Sequence, residues 1–219
     1  METMWHSLEI CAAVAALVAS VFLGSLARGD EAARPAEKTV SRSGIPYVLD
    51  DDRAGPPELL KAIRARRSGG KLLNLDRMLL HSPNLAKGWN SMFGAIRGEL
   101  TVSRKLRETA IIAIAVLNKA DYEWAQHEGE FLSAGGTRPQ LAALRDVLSA
   151  RQDAKLFDEM ERATLALTVE MTRNVAVSDA TMKQVRALLP DEQVVELVGT
   201  IAGYNMASRF LVATGIELE

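Results

Sequence analysis

The stretch RETAIIAIAVLNKADYEWAQHEGEFLSAGG, residues 107–136, decides the fold of this chain. Residues 110–117 are all apolar, so a helix over them is apolar on every side and belongs in the middle of a core. Asn118 tolerates the left-handed conformation at a helix end, and Asp121 can cap a second helix that stops before the two glycines at 135 and 136. The stretch therefore predicts a helical hairpin whose first helix is central.

Apolar spacing and capping residues predict further helices on both sides of this hairpin. Ser82 before Pro83 is a candidate N-cap, as is Ser103, and Thr137 with Gln140 can open another helix. We find no convincing strand, internal repeat or low-complexity stretch, so we expect a single all-α domain, a helical bundle over residues 57–219. The predicted helices cover 58–67, 72–80, 83–96, 103–117, 121–134, a helix from 137, 155–173, 178–189 and 191–213.

The composition is that of a globular protein, with 48% hydrophobic and 25% charged residues and a net charge of -2. The near-balance of acids and bases gives no electrostatic footprint for nucleic acid, so we expect no nucleic-acid partner. The only cysteine is Cys11. The domain after it therefore has no disulfide, no thiolate metal site and no dithiol redox pair.

The N-terminal segment is predicted to be a targeting element. Residues 10–27 are eighteen uncharged, mostly apolar residues, and Ser25-Leu26-Ala27 resembles a signal-peptidase site. Residues 1–27 are thus a signal peptide, which gives an exported protein, or an uncleaved membrane anchor, which the basic residues after it would orient with the domain in the cytoplasm. Membrane contact is expected only through this segment. Residues 28–56, rich in Gly, Pro and charge, are read as a linker.

His127 is the first candidate for chemistry. Trp124 and Phe131 share its helix face, so the imidazole lies on the apolar side, either as a core histidine with one hydrogen bond or as a general acid or base. Glu123, four residues earlier, can hydrogen-bond the ring and fix its tautomer. Glu108 lies nineteen residues before His127, and the helix break can bring the two together; the alternative is an ion pair with Arg104.

The last helix carries a second unusual pattern. Asn205 and Arg209 follow one stripe with the apolar residues 198, 202 and 212, so we expect a buried Arg209 that needs an anion from this protein, a neighbouring subunit or a substrate. Tyr204 adds a hydroxyl donor. Only His81 and His127 follow the targeting segment, in no metal-binding spacing, so we expect no metal; no phosphate-binding loop or dinucleotide fingerprint is present either.

Taken together, these residues resemble the carboxymuconolactone decarboxylase-like family over about residues 57–215. The resemblance is most specific from Arg107 to Gly136. It implies the AhpD-like all-α fold, assembly as a homo-oligomer, either trimer or hexamer, and activity without a cofactor. The motifs that carry it are Leu72-Leu73-Asn74-Leu75-Asp76, His81-Ser82-Pro83, Gly88-Trp89-Asn90, Arg107-Glu108, Asn118, Tyr122-Glu123-Trp124, His127 and Gly135.

The resemblance also narrows the activity. The peroxidase branch of this superfamily uses a Cys-x-x-Cys pair, and Ala120 and Glu123 stand at those positions, so dithiol peroxidase activity is excluded because no thiolate is present. The decarboxylase branch implies a lyase acting on a small carboxylated lactone or related acid. The last helix departs from that branch, since residues 204–209 read YNMASR where true decarboxylases have Tyr-Ala-Gly-x-Pro.

The resemblance implies roles for named residues. His127 would move the proton, Glu108 or Glu123 would orient the imidazole, and Arg209 or Arg107 would hold a substrate carboxylate. Two alternatives stay open: another proton-transfer enzyme, and a non-catalytic helical oligomer that binds a ligand or protein partner. The expected substrate-binding residues are Asn74, Trp89, Arg107, Tyr204, Asn205 and Arg209.

Overall fold

The computed structural model describes residues 39–219, so the predicted targeting segment and the linker up to residue 38 lie outside the described residues. The predicted all-α class is confirmed, because residues 39–219 form ten α-helices and no β-strand. Within this range no helix is long and apolar enough to cross a membrane. The helices are α1 Pro57–Arg64, α2 Asn74–Leu79, α3 Pro83–Gly98, α4 Arg104–Leu117, α5 Asp121–Ser133, α6 Arg138–Ala143, α7 Val147–Ala150, α8 Glu159–Asn174, α9 Asp179–Leu188 and α10 Asp191–Thr214.

Helix α4 is the central helix, as its apolar sequence predicted. Every residue from 106 to 115 is buried, and α5, α8 and α10 pack around it. Ser103 caps it as predicted, since its hydroxyl accepts a hydrogen bond from the Leu106 amide. A helix enclosed on all sides has no solvent face, so the polar residues it carries must find partners inside the protein.

The break between α4 and α5 is confirmed, but the residues that make it differ from the prediction. Lys119, with φ of 56°, takes the left-handed position, while Asn118 keeps a φ of -96°. The Asn118 amide instead donates to the side chains of Asn205 and Ser208, and these contacts hold it in place. Asp121 is the first residue of α5 rather than its cap, and the N-cap is Ala120 without a side-chain hydrogen bond.

Several other helix ends and caps also differ from their predictions. The helix predicted over 58–67 ends at Arg64, and Arg67 is extended with φ of -110°. Ser82 occupies the N-cap position before α3, but its side chain makes no capping hydrogen bond. The capping box of Thr137 and Gln140 is confirmed. The helix predicted from 155 begins only at Glu159, because Asp158 caps it with a second capping box.

The hairpin sets the position of the candidate site. A small apolar cluster joins the segment before α1 to α2, α5, α10 and the C-terminal residues. Its members are Tyr47, Met78, Tyr122, Leu211 and Ile216. The faces of α3, α5 and α10 nearest this cluster, together with the segment between α1 and α2, enclose a cavity.

Candidate active site

Glu108 and His127 form a buried hydrogen-bonded pair at the core of the site. The helix break folds α5 back along α4, so residues nineteen apart in sequence meet, and His127 Nδ1 lies 2.8 Å from Glu108 Oε2. Each residue is 5% exposed. Arg104, the alternative partner of Glu108, pairs with Glu130 instead. A carboxylate at this distance fixes the tautomer of the ring and stabilises an imidazolium.

Glu123 does not hold the imidazole, so that prediction is wrong. It is 2% exposed, and neither carboxylate oxygen has a hydrogen-bond partner among residues 39–219. Burial, and secondarily the charge of Glu108, raises the pKa of the Glu123 carboxyl well above its ordinary value. Burial therefore favours the neutral, protonated form of Glu123, which makes it a candidate proton donor rather than a charged orienting group.

A cavity of about 60 Å³ lies beside these acids. Both His127 and Glu123 line it, and the imidazole Nε2 has no hydrogen-bond partner among the described side chains. Aromatic rings form one wall: Trp89 and Phe93 lie 4.8 Å apart between centroids, and Tyr204 meets Phe93 and His127 edge-on at 5.3 and 5.1 Å. Burial raises the pKa of the Tyr204 phenol, which stays protonated as a donor. The space suits a small, flat molecule.

Three arginines also line this cavity, and the sequence reasoning missed them. Arg67 makes a two-point ion pair with Asp76, at 2.6 and 2.7 Å. Arg66 donates to the backbone and side-chain oxygens of Asn90, and Arg97 lies 3.6 Å from Glu130. Arg66 and Arg67 fall at the end of the helix predicted over 58–67, beyond the observed end of α1 at Arg64. Both arginines line the cavity because α1 ends before them, and no spacing rule in the sequence predicts that early end.

Two of the expected substrate-binding residues lie away from the cavity and have structural partners. Asn74 is 2% exposed and its amide donates to the Glu217 carbonyl, so it anchors the chain end to α2. Arg107 is buried and donates to the Ile96 carbonyl at 2.6 Å, in the last turn of α3. A cation at a helix C-terminus satisfies carbonyls that have no partner within the helix, so neither residue is placed to hold a substrate.

The stripe expected on the last helix is also wrong in part. Arg209 is exposed, and it donates to the backbone and side-chain oxygens of Asn205. Asn205 is buried but points to Thr172 and Asn118, not into the cavity. Val212 is 51% exposed. The buried face of α10 instead carries Tyr204 and its neighbours at helical spacing. The predicted stripe therefore lies about a third of a turn around the helix from the face that packs into the core.

Of the predicted site residues, the structure thus brings Trp89, Glu123, His127 and Tyr204 to one cavity, with Glu108 directly behind the imidazole. His81 lies apart from them, with its ring nitrogen 2.6 Å from the Pro46 carbonyl. No group of three or more His, Cys, Asp or Glu side chains that could hold a metal ion occurs within residues 39–219. What the arrangement offers is proton transfer from an imidazole and a carboxylic acid beside an aromatic wall.

Solved structures show that the fold is shared. An uncharacterised peroxidase-related protein from Ralstonia eutropha JMP134, described as an alkylhydroperoxidase AhpD core, superposes with a TM-score of 0.69 at 17% identity, over 85% of this chain and 94% of that one. A peroxidase-related protein from Silicibacter sp. TM1040 gives 0.67 at 18% identity, over 84% and 95%. The debrominase Bmp8 gives 0.67 at 18% identity, over 79% and 91%. The predicted AhpD-like fold is confirmed.

No curated protein sequence matches the chain significantly. A sequence family does match: residues 83–170 fit the carboxymuconolactone decarboxylase family, and this range spans α3, α4, α5 and most of α8. It contains Glu108, Glu123 and His127, the three acidic and basic groups of the buried site. Over residues 83–170 the chain is thus similar to the carboxymuconolactone decarboxylase family, and the helices around that range share the AhpD-like fold.

Proposed function

We propose that this protein is a cofactor-free lyase that acts on a small carboxylated lactone or a related acid by proton transfer at His127. The observation that carries the proposal is the buried Glu108–His127 pair beside a cavity lined by His127 and by Glu123, whose carboxyl pKa is raised well above its ordinary value. If His127 were only a core histidine with one hydrogen bond, nothing would require a second acid without a partner, Glu123, beside the same cavity.

The chemistry is a decarboxylation without redox change. The bond between the carboxylate carbon and the ring carbon breaks, carbon dioxide leaves, and the electron pair stays on the substrate as an extended enolate. The imidazolium of His127, or the carboxylic acid of Glu123, then delivers a proton to carbon and later regains one from water. The Glu108 carboxylate stabilises the imidazolium, and the Tyr204 hydroxyl is a donor for developing negative charge.

Assembly as a homo-oligomer is part of the same proposal. The outward face of α10 leaves apolar side chains in water at Val195, which is 70% exposed, and Met206, which is 43% exposed, and helical periodicity places these two on the same side of the helix. Apolar residues repeated along one helix face are typical of an interface between subunits. This face also supports the alternative function, a non-catalytic helical oligomer that binds a ligand or a partner protein.

A substitution at His127 separates the two functions. Small carboxylated lactones are screened for release of carbon dioxide, and His127→Ala should lower turnover of an active compound by about 10²- to 10⁴-fold, the usual contribution of a general acid or base. His81→Ala, which removes an exposed imidazole outside the cavity, is the matched control and should keep full activity.

Chromatography and thermal unfolding accompany the assay. Under the lyase proposal, the His127 variant keeps the oligomeric state and the folded structure of the parent. Turnover that survives the substitution would remove His127 from the mechanism. A protein that turns over none of the lactones, and whose oligomeric state changes when His127 is replaced, would support the non-catalytic alternative.

A further inference from the structure

Of the cavity's three cations, only Arg66 lacks an acidic partner among the described residues. Arg67 is neutralised by its two hydrogen bonds to Asp76, and both side chains are nearly buried. Arg97 lies at 3.6 Å from a carboxylate. Arg66, by contrast, bonds through one terminal nitrogen to two neutral oxygens of Asn90. Its remaining donors have no partner in residues 39–219.

The position of Arg66 is built rather than accidental. Its guanidinium is partly buried and lies over α3 at Gly94, where a Cβ would come within 4.0 Å of three of its atoms. The two bonds to Asn90 fix its direction along the same helix. Burial, followed by the charges of Arg67 and Arg97, lowers the pKa of the Arg66 guanidinium, as expected where positive charges converge without a matching anion.

We infer that Arg66, assisted by Arg97, binds the carboxylate of the substrate and selects anionic over neutral molecules, a role that rests on the proposed function. A partly buried guanidinium with donors to spare can form a two-point, charge-assisted bond to a carboxylate. Trp89 and Phe93 line the same cavity as Arg66 and His127, so a flat acid held at Arg66 would pack against aromatic rings in the space that the imidazole also lines. Arg66 thereby takes the role that was predicted for Arg107 or Arg209.

The test is direct binding of two probes of similar size and shape, the anion 2-furoate and the neutral 2-furamide, measured by isothermal titration calorimetry at low salt. The parent protein should bind 2-furoate at least about tenfold more tightly than the amide, because a charge-assisted bond to Arg66 is lost with the carboxylate. Arg66→Gln should weaken 2-furoate about tenfold or more and leave the amide unchanged, while Arg66→Lys retains part of the affinity. Arg97→Gln should give a smaller loss.

Arg186→Gln is the control, because it removes one positive charge from an exposed side chain that does not line the cavity. Equal binding of both probes by the parent protein, or 2-furoate affinity that survives Arg66→Gln, overturns the inference. If Arg66→Gln fails to fold, the Arg66→Lys and Arg97→Gln variants decide, and unchanged affinity in both overturns it. Turnover is a separate readout. Charge-selective binding without any lyase activity upholds the role of Arg66 and refutes the proposed function. Lyase activity without charge-selective binding upholds the proposed function and refutes the role of Arg66.

Discussion

Replacing Glu123 by Gln should make the protein more stable at neutral pH and remove a pH dependence of its folding. The change keeps the size of the side chain and substitutes a group that cannot ionise. In the structure the carboxyl is 2% exposed and neither oxygen has a partner in residues 39–219, so the folded state accepts the acid only in its neutral form. At a pH where Glu123 ionises in the unfolded chain, the buried carboxyl therefore lowers the free energy of unfolding.

The sign and size follow from proton binding. The carboxyl of the unfolded chain ionises near the ordinary value of 4.5, while the folded state keeps the proton because its pKa is raised. Between these two pKa values the folded state binds one more proton, so the free energy of unfolding falls as pH rises, by up to about 1.4 kcal/mol per pH unit. The stabilising contribution is complete below pH 4.5 and is lost as the pH rises towards the folded-state value.

Urea denaturation at half-unit steps between pH 4 and pH 8 measures this directly. The difference in unfolding free energy between Glu123→Gln and the parent should be small at pH 4 and should grow steadily above pH 4.5 in favour of the variant. Glu99→Gln, at an exposed carboxyl, is the control and should show no such growth. A difference that stays constant from pH 4 to pH 8 would mean that Glu123 ionises normally, and it would remove Glu123 as a candidate acid.

Three further predictions concern the helices that hold the site, and urea denaturation checks all three. Ser103→Ala should lower the free energy of unfolding by about 1 kcal/mol, because it removes the hydroxyl that caps α4; an unchanged value would show that water replaces the cap. Gly136→Ala should cost about 1–3 kcal/mol or more, since the added Cβ would lie 2.2 Å from the fully buried Phe131 ring. Gly129→Ala in α5, where the new Cβ meets nothing within 4 Å, should instead stabilise by about 0.5–1 kcal/mol.

The sequence predicted the fold well because the strongest pattern in it is also the one that organises the core. Eight consecutive apolar residues at 110–117 demand complete burial, and α4 is the helix around which α5, α8 and α10 pack. Caps with a local mechanism, such as Ser103 and the box of Thr137 with Gln140, were also predictable. Asn118 was not, since a tertiary contact to Asn205 and Ser208 overrode its preference for a left-handed helix end.

The candidate site was harder to predict, because its residues converge from helices far apart in sequence. The pairing of Glu108 with His127 required only that the hairpin close, which the break between them signals. Which of two glutamates reaches the imidazole depends on the angle between α4 and α5, and sequence spacing left both possible. The arginines depend on a helix ending three residues early, a detail that no periodicity encodes.

The charges of the site form one linked system. Glu123 lines the same cavity as three arginines without a hydrogen bond to any of them, and burial raises the pKa of its carboxyl well above the ordinary value. A bound carboxylate would neutralise part of that positive charge and add a negative charge near Glu123, which raises the pKa of its carboxyl further. Substrate binding at Arg66 would thus favour the protonated form of Glu123, which is the proton donor that the reaction requires. In the empty cavity the pKa of Glu123 would be lower, and it would lose its proton more readily. Binding of 2-furoate should accordingly be coupled to proton uptake at the pH where free Glu123 is partly ionised, and the coupling should vanish in Glu123→Gln.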